Sequence, residues 1–232
     1  MNNTIGGNLL MRLNPLGASF LSLYLSVGAI HIIGCYRENW HIKAYSKPFL
    51  MPLLLASYLA TMQERASLLI IIALICDTAG DVLLMFRDRH GIRFLLMGML
   101  CFIGGHVGYS IWLFSSHDTF VIAIPWTIGC VVAASLSLWF RKTMIKSGHR
   151  YHNILSAYAL FIDALIVGAL YTWGSGNLIG TLLCLAGALL FCLSDFLIAM
   201  ETIGRKIGDK TSVMITYIFA QLLFISGFVL LS

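Results

Sequence analysis

Charge is scarce in this sequence. Only 11% of its 232 residues are Asp, Glu, Lys or Arg, against 59% hydrophobic, and the mean hydropathy is +0.88. Those values exclude an ordinary soluble domain, where about a quarter of residues are charged. Linkers, low-complexity tracts and long polar stretches are also missing, so the sequence reads as a single transmembrane domain, 1–232. The six cysteines (Cys35, Cys76, Cys101, Cys130, Cys184, Cys192) form no C-x-x-C pair and lie in or at the ends of apolar blocks. A disulfide framework is therefore not expected, and the thiols read as small buried hydrophobes. The short polar N-terminus, with Arg12 its strong charge, does not read as a cleaved signal peptide.

Nucleophile signatures are missing as well. There is no G-x-S-x-G elbow and no H-E-x-x-H helix. No histidine is followed five residues on by an aspartate, the spacing of the common acyltransferase motif. Of seven histidines, His31 and His106 alone lie clearly within apolar blocks. Two histidines plus aspartates leave one kind of metal site open. No metal or cofactor is assigned, and no nucleic-acid partner is expected.

What is present is a series of apolar blocks long enough to cross a bilayer as helices. Eight can be drawn, roughly 16–36, 46–62, 67–86, 94–114, 120–140, 153–173, 178–201 and 211–231. The predicted class is all-α, a polytopic membrane protein of eight transmembrane helices. The connections alternate in charge. Loops 1, 3, 5 and 7 hold Arg37, Lys43 and Lys47; Arg87, Arg89 and Arg93; Arg141, Lys142, Lys146 and Arg150; and Arg205, Lys206 and Lys210, 13 of the 15 basic residues. The positive-inside rule then makes those loops cytoplasmic and puts both termini outside, in the inner or plasma membrane, or the ER of a eukaryote.

Against this background the acids stand out. Asp77, Asp81, Asp163 and Asp195 lie within spans. A carboxylate at mid-bilayer costs about 2.5–3.5 kcal/mol on insertion scales. No lysine or arginine lies well inside a span, and Lys47 is expected at the cytoplasmic edge of the second, so the four acids are predicted to lack internal basic partners. Asp81 and Asp195 each sit six residues before the inner end of a span, or about 9 Å deep. Tyr158 and Tyr217 enter from the cytoplasm to similar depth, and Gln221 follows Tyr217 by one turn. His106, Tyr109, Asp77 and Asp163 lie deeper. Asp163 is five residues from Tyr158, about 140° around the helix, so the two point apart.

The surroundings of the two matched aspartates are alike. Gly80-Asp81-Val82-Leu83-Leu84 parallels Ser194-Asp195-Phe196-Leu197-Ile198, nearly half a chain away. Two four-helix halves related by a pseudo-two-fold along the membrane normal would explain the parallel; chance likeness of apolar helices is the competing reading. Two carboxylates in a dry pocket suit acid chemistry, since burial and repulsion keep one protonated while the other ionises. Such a pair can protonate a substrate and stabilise an oxocarbenium-like cation, as cleavage of an acid-labile ether requires. It can equally carry protons through a transporter, and a lipid-binding protein without catalysis is a third reading.

Five short pieces then occur in a fixed order. They are Lys47-Pro48 opening the second span, Gly80-Asp81 in the third, Gly105-His106 with Tyr109 in the fourth, Ser194-Asp195 in the seventh, and Tyr217 with Ala220-Gln221 in the eighth. In this respect the chain, from about residue 45 to 225, resembles the YhhN-type lysoplasmalogenase family. The resemblance implies hydrolysis of the vinyl ether bond of a lysophospholipid to a fatty aldehyde and a glycerophospho-base. It implies Asp81 and Asp195 as the catalytic acids. Lys47, Asp77, His106, Tyr109, Tyr158, Ser194, Tyr217 and Gln221 would then support the site, with Lys47 meeting the lipid phosphate. The family motif does not require an acid at Asp77, which is read as a modulator of Asp81, a water ligand or a variation of this sequence without a catalytic part.

Overall fold

The computed structural model describes residues 14–115 and 124–232. Those residues form eight long helices and no strand: α1 (Pro15–Tyr36), α2 (Trp40–Met62), α3 (Leu68–Met85), α4 (Ile92–Ser115), α5 (Ile124–Lys146), α6 (His152–Tyr171), α7 (Leu178–Thr202) and α8 (Lys210–Leu231). A single helical turn, Arg87–His90, joins α3 to α4, and short 3-10 turns follow α2 and α6. Among the described residues, seven of the eight helices are long and apolar enough to cross a membrane; α2, with its charged first turns, matches them in length only. The chain is an all-α polytopic membrane protein. Large apolar side chains left on the outside, such as Leu100, Leu160 and Leu178, are the surface a bilayer covers.

Polar caps set the helix starts. Asn14 accepts a hydrogen bond from the Gly17 amide at 2.7 Å, Asn39 from Ile42 at 3.2 Å, Asn177 from Gly180 at 3.1 Å and Asp209 from Ser212 at 2.8 Å. Each satisfies one of the amides that a helix leaves open at its N-terminus. Asn39 explains the main departure from the expected spans. α2 begins at Trp40 rather than at 46, because the cap and not the apolar block decides where the helix starts. α5 likewise runs on to Lys146, past the expected end at 140; expected residues 120–123 lie outside the described residues.

The helices gather into two compact units. One holds α1–α3, α4 as far as Trp112, and Phe228–Leu230; the other holds Leu113–Gly227. The boundary falls inside α4, after Trp112, and three residues of α8 belong to the first unit. In the first unit α2 packs against both α1 and α3. Ser57 donates to the Gly17 carbonyl at 2.9 Å, tying α2 to α1. α4 lies close on α3 through its glycines: a β-carbon at Gly108 would stand 3.0 Å from the Leu69 carbonyl oxygen. Small residues of this kind let membrane helices approach. In the second unit α6 packs against α5 and α7. α7 and α8 meet at Gly187, where a β-carbon would stand 3.0 Å from the Ala220 carbonyl oxygen.

Candidate functional site

The first unit carries an ion pair. Lys47 Nζ lies 3.2 Å from Asp81 Oδ1, and the two side chains are 11% and 2% exposed. This corrects the expectation that the buried acids lack a basic partner and that Lys47 sits at a helix edge. Because α2 starts at Trp40, Lys47 is in its third turn, withdrawn far enough to meet α3. Pro48 follows directly; having no amide hydrogen, it leaves the Ala44 carbonyl without its helical donor.

Next to the pair lies a second acid with a different partner. Tyr109 donates its hydroxyl to Asp77 Oδ2 at 3.0 Å, and both side chains are fully buried. Gly105 makes this possible, since a β-carbon there would collide with Asp77 Oδ1. His106, on the same helix, is also buried. α1 adds a residue that the sequence reading missed. Tyr24 is fully buried, within electrostatic range of both Asp81 and Tyr109. One tyrosine in an apolar span reads as core. The available signal was spacing, since Tyr24, Gly28, His31 and Cys35 recur every three or four residues and are all buried.

His31 completes the α1–α2 contact. Its Nδ1 is 2.8 Å from Ser46 Oγ, and Ser46 donates its own proton to the Ile42 carbonyl at 2.6 Å. That network assigns the His31 hydrogen to Nδ1 and leaves Nε2 to accept from the Cys35 thiol, 3.5 Å away.

The second unit holds the other aspartate. Tyr158 on α6 donates to Asp195 Oδ2 on α7 at 2.6 Å. Among the described residues no basic side chain pairs with Asp195. The neighbouring Ser194 points to α8 instead, donating to the Val213 carbonyl at 3.2 Å. Tyr217 packs edge-on to Phe191 at 5.5 Å, and Gln221, one turn further along α8, is fully buried. Asp163 is held by the Ser137 hydroxyl on α5. Tyr158 and Asp163 thus face different neighbours, as their 140° separation predicts.

The expected residues are thus distributed between the two units. Lys47, Asp77, Asp81, His106 and Tyr109 belong to the first, and Tyr158, Ser194, Asp195, Tyr217 and Gln221 to the second. The first offers two partnered aspartates, Asp81 with Lys47 and Asp77 with Tyr109, and the second offers Asp195 with Tyr158; each adds a buried polar side chain, His106 or Gln221. The chemistry within reach of these side chains is proton transfer and stabilisation of positive charge. Comparison with known proteins gives the family: the YhhN family model matches residues 42–228, so the chain belongs to the YhhN family. No curated protein and no solved structure matches it. The match begins two residues into α2, so α1 with Tyr24 and His31 lies ahead of it while both aspartates lie inside.

Proposed function

We propose that this YhhN-family membrane protein hydrolyses the vinyl ether bond of lysoplasmalogens to a fatty aldehyde and a glycerophospho-base. The observation that carries this reading is the unlike company of the two aspartates. Asp81 faces the Lys47 ammonium, and an adjacent cation favours a carboxylate. Asp195 faces the neutral Tyr158 phenol and no cation among the described residues. In acid–base catalysis, unlike environments divide two carboxyl groups into acid and base.

The roles follow. Asp195 is the acid that gives its proton to the β-carbon of the vinyl ether. The cation that results is an oxocarbenium ion, with positive charge shared between the ether oxygen and its carbon. Asp81 stabilises that charge and orients water for attack on the carbon. The attacking water gives a proton to Asp81, the hemiacetal collapses as its hydroxyl proton moves to the departing glycerol oxygen, and exchange with solvent takes the proton from Asp81 and restores the one that Asp195 gave up. Tyr158 holds the acid, and Lys47 holds the base. We place the basic loops in the cytoplasm on their charge, so the substrate enters from the inner leaflet. Asp77 and Asp163, nearer mid-span, favour the second reading, a proton-coupled transporter.

The test is aldehyde release from 1-alkenyl lysophosphatidylethanolamine by the purified protein in detergent. Wild type should release aldehyde, and Asp81→Asn and Asp195→Asn should each abolish release. Full activity in both variants would remove the mechanism. A wild type inactive on every ether lysolipid would favour the transporter.

A further inference from the structure

The Lys47–Asp81 pair leaves the lipid phosphate without the cation first expected for it, and the first unit offers a replacement. Trp40, Lys43 and Lys47 are spaced i, i+3 and i+7 on α2, along one stripe. Lys43 stands about 6 Å beyond Lys47 toward the start of the helix, and Trp40 about 10 Å beyond it, at 1.5 Å per residue. The Arg89 guanidinium lies over the Trp40 ring, 4.5 Å from its centroid. That contact brings the turn after α3 to the start of α2, at the same end of the unit. Among the described side chains neither Lys43 nor Arg89 has a carboxylate partner. Lys43 is half-buried and Arg89 exposed. Two cations with no carboxylate partner among the described side chains, one of them fixed on an aromatic face, are what an anionic group requires.

The spacing selects the ligand. In a single-chain glycerophospholipid, five bonds of about 1.5 Å separate the sn-1 oxygen from phosphorus, an extended reach of roughly 6 Å. An ether oxygen at the level of Asp81 therefore puts the phosphate level with Lys43 and below Arg89. We propose that Lys43 and Arg89, with Trp40 as the platform for Arg89, form the phosphate subsite for a lysophospholipid whose ether oxygen lies at Asp81. The subsite makes the phosphate a condition of tight binding and excludes Lys47 from that task. It takes its choice of ligand from the proposed lysolipid hydrolysis, but it is tested by binding.

The experiment uses the full chain in a nonionic detergent and two ligands that contain no vinyl ether, a 1-O-alkyl lysophospholipid and the matching 1-O-alkylglycerol. Wild type should bind the phosphate-bearing ligand at least about tenfold tighter, the size of one charge-assisted contact. Lys43→Met and Arg89→Gln should each remove most of that difference and leave alkylglycerol binding unchanged. Lys43→Arg should retain it, and unchanged melting temperatures should show that the variants fold. Inorganic phosphate should displace neither ligand at millimolar concentration. Displacement of the lysophospholipid would make this a site for free phosphate and overturn the lipid assignment. Equal wild-type affinity for both ligands, or variants that weaken both alike as a bilayer anchor would, overturns the subsite. Binding as expected beside absent aldehyde release would retire the hydrolysis and keep the subsite.

Discussion

Lys47 and Asp81 meet across α2 and α3 as a buried ion pair, with Nζ 3.2 Å from Oδ1. Taking one partner away leaves a lone charge in an apolar interior, which typically costs about 3–5 kcal/mol. Lys47→Met should therefore melt well below wild type in detergent. Lys47→Met combined with Asp81→Asn should recover most of the loss, because no charge remains to be compensated. Neither protein should release aldehyde. A Lys47→Met protein as stable as wild type would show that the pair does not hold the fold.

Tyr158 and Asp195 can be separated with less disturbance. Tyr158→Phe keeps the ring and removes the donor that lies 2.6 Å from Oδ2. As Asp195 gives up its proton it becomes a carboxylate, and a hydrogen bond to a charged group contributes about 1.5–3 kcal/mol. If the bond is needed to hold Asp195 for proton transfer, turnover should fall roughly 10- to 100-fold at 1.4 kcal/mol per decade. Substrate binding should change little. Wild-type kcat in Tyr158→Phe would assign the bond to structure alone.

Much of this arrangement is legible in the sequence. The helices follow from apolar length, the close packing of α3 and α4 from their glycines, and the divergence of Tyr158 and Asp163 from helical angle. What escapes is decided by polar local signals or by partners distant in the chain. Apolarity puts the start of the second span at 46, while Asn39 starts the helix at Trp40 and carries Lys47 inward. That one cap turns an expected interface lysine into the counter-ion of Asp81. Tyr24 escapes for the opposite reason. Its own segment is uniformly apolar, and its place near Asp81 depends on how α1 lies on α2.

Gly105 offers a test of how tightly Asp77 is held. A β-carbon at Gly105 would collide with Asp77 Oδ1, and Asp77 is fully buried with little room to turn. Gly105→Ala should displace the carboxylate from Tyr109 and lower stability by about 1–3 kcal/mol, the usual cost of overpacking. Gly104→Ala is the control. Its β-carbon would lie 3.1 Å from Cys76 Sγ, and Cys76 is only half-buried, so the side chain can yield. Melting curves run side by side should show the larger loss at Gly105. Equal curves would mean that Asp77 can move freely.

Asp163 separates the two readings of function. Its carboxyl is held by Ser137 on α5, while Tyr158, on the same helix, turns to Asp195 on α7. A proton path through the protein would use a mid-span acid of this kind, whereas the hydrolytic reading gives it no step. Asp163→Asn keeps the size of the group and its acceptor for Ser137. It should therefore release aldehyde within about threefold of wild type, a difference below 1 kcal/mol. Ser137→Ala should behave alike, with at most a small loss of stability from the missing hydrogen bond. If Asp163→Asn stops turnover while the protein still melts as wild type does, the acid belongs to the working machinery, and the division of labour between Asp81 and Asp195 is wrong.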